Sequence, residues 1–259
     1  MRDIRSEFIR FWSMREAFLA MIPVLLLSIV FSIINGEIMN AILSGDLSGH
    51  DLDPSLAQKP ISDLLLEGYL GPVYQASVIF IPIAAAYLFN LEYAHGEHES
   101  VLLVSRSLLM RRIGTILCGI SWAVGAAFVA AIANYVVCVL QLDLKDEASL
   151  SILSAFIVFT RVAVFAILFS VLALFVTALT RRLFVSVIVF VLLLFISLSG
   201  ILQSIPILHN SLPLIGGKSF AFWDPAEGPY SISGAVVLLL SWIAVSLVGY
   251  ITLAVGRRR

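Results

Sequence analysis

The sequence predicts an all-α integral membrane protein of six transmembrane helices with both termini on the cytoplasmic side. An N-terminal interfacial amphipathic helix and a short charged cytoplasmic helix accompany the spans. Three observations carry that expectation. Of the 259 residues, 60% are hydrophobic and only 13% charged, whereas soluble domains run at roughly 45–50% and about 25%. A soluble fold of this length would still need a polar exterior, which this composition cannot supply. Six apolar segments each reach the ~20 residues that a bilayer core of about 30 Å requires. The basic residues, finally, are sorted to alternate connections between those segments.

Residues 1–16 precede the first span. Over Arg2–Glu16, Ile4, Phe8, Phe11 and Trp12 fall at i, i+4, i+7 and i+8, on one helical face. Asp3, Arg5, Ser6, Glu7, Arg10 and Ser13 fill most of the rest. The pattern predicts a helix lying in the interface with Trp12 at headgroup depth. The first apolar run begins near Ala17, and no small-x-small cleavage site follows it. The chain is therefore expected to be retained whole rather than cut as a secretory signal.

The spans are placed at Ala17–Asn35, Pro72–Leu91, Ile113–Leu140, Leu150–Ala178, Phe184–Ile205 and Ile232–Val255. The third and fourth exceed the minimum, so tilt or extension beyond the lipid is expected. Cys118 and Cys138 lie twenty residues apart on the third, about 30 Å along a helix, too far to bridge. They are read as small apolar fillers.

Lys and Arg near the span ends set orientation. With the N-terminus inside, twelve arginines fall on cytoplasmic segments, among them Arg2, Arg5, Arg111, Arg112, Arg181 and Arg182. The outer loops carry only Lys59, Lys145 and Lys218, and hold eleven of the seventeen acids. The first outer loop, Gly36–Gly71, is too short for an ordinary folded domain. The last, residues 207–230, carries Pro213, Gly216, Gly217, Phe220, Phe222 and Trp223. That apolar, aromatic content predicts a segment dipping back onto the membrane or capping the bundle. No internal repeat is visible.

The most informative segment joins the second and third spans, residues 92–112. Acids come first (Glu92, Glu97, Glu99), then an apolar stretch, then Arg106, Arg111 and Arg112. Gly96 is a plausible stop to a helical run, and a short helix after it would carry acids at its positive end and arginines toward its negative end. Such an element suits docking to a soluble partner. His95 and His98 stand at i, i+3, but Gly96 lies between them and the pair alone is a weak zinc signal.

Here the chain resembles the permeases of ATP-binding-cassette type-2 exporters. The resemblance rests on the order span, Glu92-x-x-x-Gly96, short helix, Ser105-Arg106, apolar-basic stretch, span. An interfacial helix, six spans, a Pro/Gly-containing outer segment before the last of them and a basic Gly256-Arg257-Arg258-Arg259 end agree with it. In architecture it covers nearly the whole chain. Glu97 stands where the family usually has Ser or Thr, and Val104 where a proline is common. The resemblance implies that this loop is a coupling helix seated in a cytoplasmic ATPase, with Glu92, Gly96, Glu97 and Arg106 as coupling residues. It further implies two permeases, identical or related, working with two ATPase subunits.

Arg161 falls within the fourth span, where a charge is a functional hypothesis by default. It is read as intramembrane pairing or snorkelling to the headgroups, or as part of a substrate path. Gly216-Gly217-Lys218-Ser219 imitates a phosphate-binding loop, but that loop needs a glycine where Leu212 stands. The spans contain no Gly-x-Ser-x-Gly elbow, no paired aspartates and no His-Glu-x-x-His helix. The chain is thus expected not to be an enzyme by itself. It is expected to hold no cofactor or metal, with ATP and Mg on the partner subunit, and to bind membrane lipids but no nucleic acid. The expected location is the plasma or inner membrane of a prokaryote. Sparse intramembrane charge favours an amphipathic substrate: a drug, a peptide antibiotic or a lipid-like molecule. The alternative is a secondary transporter or channel working without ATP.

Overall fold

The computed structural model describes residues 2–44, 61–94, 107–141, 152–222 and 229–256. These residues are almost entirely helical, and none forms a strand. In chain order the helices are α1 (Arg2–Ser13), α2 (Arg15–Leu19), α3 (Ile22–Ser44), α4 (Ile61–Ala94), α5 (Leu108–Gln141), α6 (Ile152–Thr180) and α7 (Leu183–Leu198). A 3-10 turn (Ile201–Ser204), α8 (Pro206–Asn210), α9 (Pro213–Phe222) and α10 (Ile232–Gly256) complete them.

Five helical stretches are long and apolar enough to cross a membrane: Arg15–Ile42, Leu64–Tyr93, Leu108–Gln141, Ile152–Thr180 and Ile232–Leu253. Large apolar side chains line their outer faces, such as Val237 and Val248 on α10 and Leu26 and Ile34 on α3. Such a surface matches lipid rather than water, and the chain is a membrane protein.

The predicted fifth span, Phe184–Ile205, is shorter in the structure. Helix α7 stops at Leu198, so it rises only about 24 Å. Gly200 takes φ 68° and starts the 3-10 turn, and Pro206 then opens α8. The left-handed residue and the proline together break the apolar run that the sequence presents as one piece. The second span differs the other way. It was expected to begin at Pro72, yet α4 begins at Ile61 and carries Pro72 and Pro82 inside it. The first span likewise continues to Ser44, so residues 45–60 are all that separates α3 from α4. The two cysteines are free and buried.

Helix α6 is the central helix, packed against α4, α5 and α10. Helix α5 turns a stripe of small residues inward, including Cys118, Ala123, Ala126, Ala127, Ala130 and Ala131. Without a hydrophobic driving force between helices in lipid, close backbone approach supplies the contact. Gly119 shows how close: a Cβ there would lie 2.7 Å from Phe89 Cζ.

Polar groups lock this packing. Pro72 has no N–H to give the Gly68 carbonyl one turn earlier. The Asn35 side-chain amide of α3 donates to that carbonyl instead, at 2.6 Å. Asn134 of α5, fully buried, donates to the next carbonyl, Tyr69, at 2.6 Å. Ser32 donates to Asn134 Oδ1, and the Tyr69 hydroxyl donates to the Ala131 carbonyl at 2.8 Å. The turn that Pro72 interrupts is thereby satisfied by neighbouring helices on both sides.

Candidate functional site

Two clusters of polar residues stand at opposite ends of the bundle. The first gathers where α1, the end of α4 and the start of α5 meet. Arg111 lies three residues into α5 and points back between two carboxylates. Its Nη2 is 3.1 Å from Glu92 Oε1, and its Nε is 3.7 Å from Glu7 Oε2. Arg10 Nη2 also donates to Glu7 Oε1, at 2.6 Å. Glu7, Glu92 and Arg111 are each less than a tenth exposed. Removing such charges from water is costly unless each is paired, and here each is.

This geometry gives the predicted N-terminal helix contacts with the bundle. Helix α1 ends at Ser13, and Met14, extended at φ −75° and ψ 131°, breaks it from α2. Glu7, placed on the polar face by the sequence, is buried, while Phe8 of the apolar face is 41% exposed. The helix docks along α5: Ile4 and Glu7 lie against Gly114, and the Trp12 indole donates to Ser121 Oγ at 3.2 Å. Helix α2 is held likewise, its Ala17 carbonyl accepting from Trp122 Nε1 at 2.8 Å.

Beside this triad stands a second set of contacts. Arg112 Nη1 donates to the Tyr250 hydroxyl of α10 at 2.8 Å, and its guanidinium sits 5.2 Å from the Tyr250 ring centroid. Arg181 lies 5.8 Å from the centroid of Tyr93, the residue after Glu92. Arg181 and Arg182 form the whole connection from α6 to α7, and Arg181 adopts φ 52°. Thr180 Oγ1 and Ser186 Oγ close that turn at 2.7 Å. Two connections, α4 to α5 and α6 to α7, therefore meet α1 and α10 in one layer of guanidinium, carboxylate and phenol groups.

Of the four expected coupling residues, the structure describes Glu92 alone. It lies inside this layer rather than on the outer surface. Gly96, Glu97 and Arg106 lie outside the described residues, as do His95, His98 and the short helix expected between the second and third spans. The sequence reading missed Glu7, Arg111, Arg112 and Tyr250 as a group. A usable signal existed, since Ile4, Glu7, Phe11 and Met14 share helical spacing and one of them is a carboxylate.

The second cluster surrounds Arg161, the tenth residue of α6. Its Nη1 donates to the Ala221 carbonyl at 3.0 Å. Ala221 belongs to the last turn of α9, so a guanidinium meets the negative end of that helix. Arg161 is 7% exposed, so it is packed under α9 instead of reaching outward. Tyr74 packs against Phe165 and Phe222, with centroids 5.0 and 5.4 Å away. Gly216 and Gly217 sit within α9, both buried, and a Cβ on Gly217 would lie 2.4 Å from the Phe165 ring. Gly216-Gly217-Lys218-Ser219 is thus a helix surface pressed onto the bundle, not a loop that could wrap a phosphate. Among the described residues no group of three or more His, Cys, Asp or Glu side chains is placed to hold a metal ion.

In comparison with known proteins, no family model and no curated protein matches the sequence.

Proposed function

We propose that the chain is the membrane-spanning subunit of an ATP-driven exporter of the ATP-binding-cassette type-2 kind. In this reading the helices make six crossings, with the short α7 as the fifth and both termini in the cytoplasm. The α8–α9 pair is a re-entrant element at the outer face. A second permease completes an apolar path for an amphipathic substrate, and a separate ATPase binds the 95–106 segment.

The observation that carries the reading is the root of that segment. Glu92 and Tyr93 lie in the last turn of α4, Arg111 and Arg112 near the start of α5, and both pairs are tied to elements elsewhere in the bundle. Glu92 reaches α1 through Arg111 and Glu7. Tyr93 packs beside Arg181 at the α6–α7 turn, and Arg112 holds α10 through Tyr250. A push on a loop with free ends would be absorbed locally. A push on this one reaches α1, α6, α7 and α10 through groups that are costly to separate. Glu92 thereby serves as the anchor of the coupling segment, while Gly96, Glu97 and Arg106 face the ATPase.

Purifying the chain with its neighbouring gene products tests the proposal. An ATPase should co-purify, and its substrate-stimulated hydrolysis should be lost in Glu92→Gln and Arg106→Ala variants. Transport by the purified chain without ATP, with no ATPase associated, would establish the secondary transporter or channel in its place.

A further inference from the structure

Helix α7 is held more weakly than the other long helices. Of its 16 residues only Ser186, Phe190 and Ser197 are buried, while Phe184, Phe195 and Leu198 are each more than half exposed. Its serines spend their hydroxyls locally: Ser197 Oγ donates to the Leu193 carbonyl and Ser186 Oγ to the Arg182 carbonyl. Among the described residues, side-chain hydrogen bonds tie each of the other long helices to another. Ser28 of α3 donates to the Ala130 carbonyl of α5, and Tyr69 of α4 to that of Ala131. Ser170 of α6 donates to the Gly119 carbonyl at 3.0 Å, and Tyr250 of α10 accepts from Arg112. For α7 the one such contact among the described residues is Ser186 with Thr180, across the turn that joins it to α6. In lipid, apolar contact between helices brings no hydrophobic gain, so the helix without polar ties is the one that separates most easily.

The two ends of α7 differ. At its Leu183 end the chain turns on Arg181, whose φ of 52° is unfavourable for any residue but glycine and persists only where the surroundings fix it. Here the Thr180–Ser186 contact and the Tyr93 ring facing the guanidinium fix it. At its Leu198 end the chain passes Gly200, at φ 68°, and the 3-10 turn into α8, and Ile201, Ile205 and Ile207 along this stretch are exposed. The next ties to the bundle are the Asn210 and Ser211 carbonyls, which accept from the Tyr230 hydroxyl at 3.0 Å and the Trp242 indole at 2.8 Å. One end is thus a tight pivot and the other a slack tether. We infer that α7 swings: it pivots at the Arg181 turn, its Leu198 end moves away from α4 and α6 on the tether, and Tyr93 is the catch that holds the docked position. The inference concerns the motion of this chain alone and does not depend on the exporter reading. The swing withdraws Phe190, the one large side chain that α7 buries fully, from the core. Tyr93 lies in the last turn of α4, so displacing that turn releases the catch, and the left-handed Arg181 then relaxes toward ordinary backbone.

The experiment uses the full chain in lipid nanodiscs, with Cys118 and Cys138 replaced by alanine and nitroxide pairs read by double electron–electron resonance. One pair, Phe195→Cys with Val237→Cys, joins α7 to α10. The reference pair, Leu26→Cys with Val237→Cys, joins α3 to α10. All three positions are exposed. The α7 pair should give two distances, docked and displaced, and the reference pair one. Tyr93→Leu removes the catch and should raise the ratio of displaced to docked about two- to fivefold, the scale of a cation–π contact. Tyr93→Phe keeps the ring and should leave the ratio unchanged. Gly200→Ala disfavours the left-handed residue of the docked tether, where its Cβ would also meet Gln203 at 3.0 Å. It should raise the ratio about fivefold. A single narrow distance for the α7 pair in the parent, Tyr93→Leu and Gly200→Ala overturns the swing. So does an equal spread in the reference pair, which would mean that the whole bundle loosens. A shift in Tyr93→Phe as large as that in Tyr93→Leu overturns the catch.

Discussion

Replacing Arg111 by methionine probes the buried charge layer, because it keeps an unbranched apolar stem and removes the charged guanidinium with its N–H donors. Two contacts are lost, at 3.1 Å to Glu92 and 3.7 Å to Glu7. At an effective dielectric of about 20 these correspond to gross attractions of roughly 5 and 4.5 kcal/mol. Most of that offsets the cost of burying the charges, so the pair itself adds little net stability. Removing one partner is different, since it takes a shared cation from two carboxylates that are more than nine-tenths buried, Glu92 and Glu7, although Glu7 keeps Arg10. Breaking a buried pair from one side costs about 3–5 kcal/mol, and a chain of this size loses roughly 2–4 °C of midpoint per kcal/mol. Arg111→Met should therefore unfold at least 6 °C early, followed by tryptophan fluorescence in detergent. The triple variant Glu7→Gln, Glu92→Gln, Arg111→Met removes the buried carboxylates along with their shared cation and should recover most of the loss. Arg182→Met, at an exposed arginine of the α6–α7 turn, is the control. If Arg111→Met costs no more than that control, or if the triple variant is worse than the single one, the argument for a buried, mutually dependent layer is wrong.

Two further outcomes follow from contacts deeper in the bundle. Asn35→Ala should destabilise by about 1 kcal/mol, the scale of inter-helix hydrogen bonds in lipid. In Pro72→Ala the helix supplies its own N–H to Gly68, so the same change should then cost almost nothing; a cycle of SDS titrations in mixed micelles measures the coupling, and strict additivity would refute the link. Gly217→Ala should cost about 1–3 kcal/mol by driving a methyl group into Phe165, and Phe165→Leu should relieve most of it. Equal midpoints for parent and Gly217→Ala would show that α9 is not pressed onto α6 as described.

The sequence located the middles of the helices well, because an apolar stretch of ~20 residues has few alternatives. Their ends were harder. Pro72 looks like a helix start, and only the amides of Asn35 and Asn134, on two other helices, explain why α4 runs through it. Leu198 looks like mid-span, and only the φ of Gly200 shows where α7 stops. The charge layer was hidden for the same reason. Arg111 and Arg112 entered the sequence reading as topology markers, and Glu7 as part of a solvated face, because the partners that bury them are remote in the chain. Arg161 was visible as an anomaly, but Ala221 offers a backbone carbonyl, which no residue type announces.

The hydrogen bond from Asn134 to the Tyr69 carbonyl also has a consequence for biogenesis. Asn35 is synthesised before α4 and waits for Gly68. Asn134 comes 65 residues after Tyr69, which at about 5–20 residues per second is roughly 3–13 s of translation. Throughout that interval the Pro72 turn of α4 has one of its two outside donors. Asn35 alone therefore satisfies the carbonyl that Pro72 frees, and Asn134 adds its clamp on the neighbouring carbonyl only when α5 arrives.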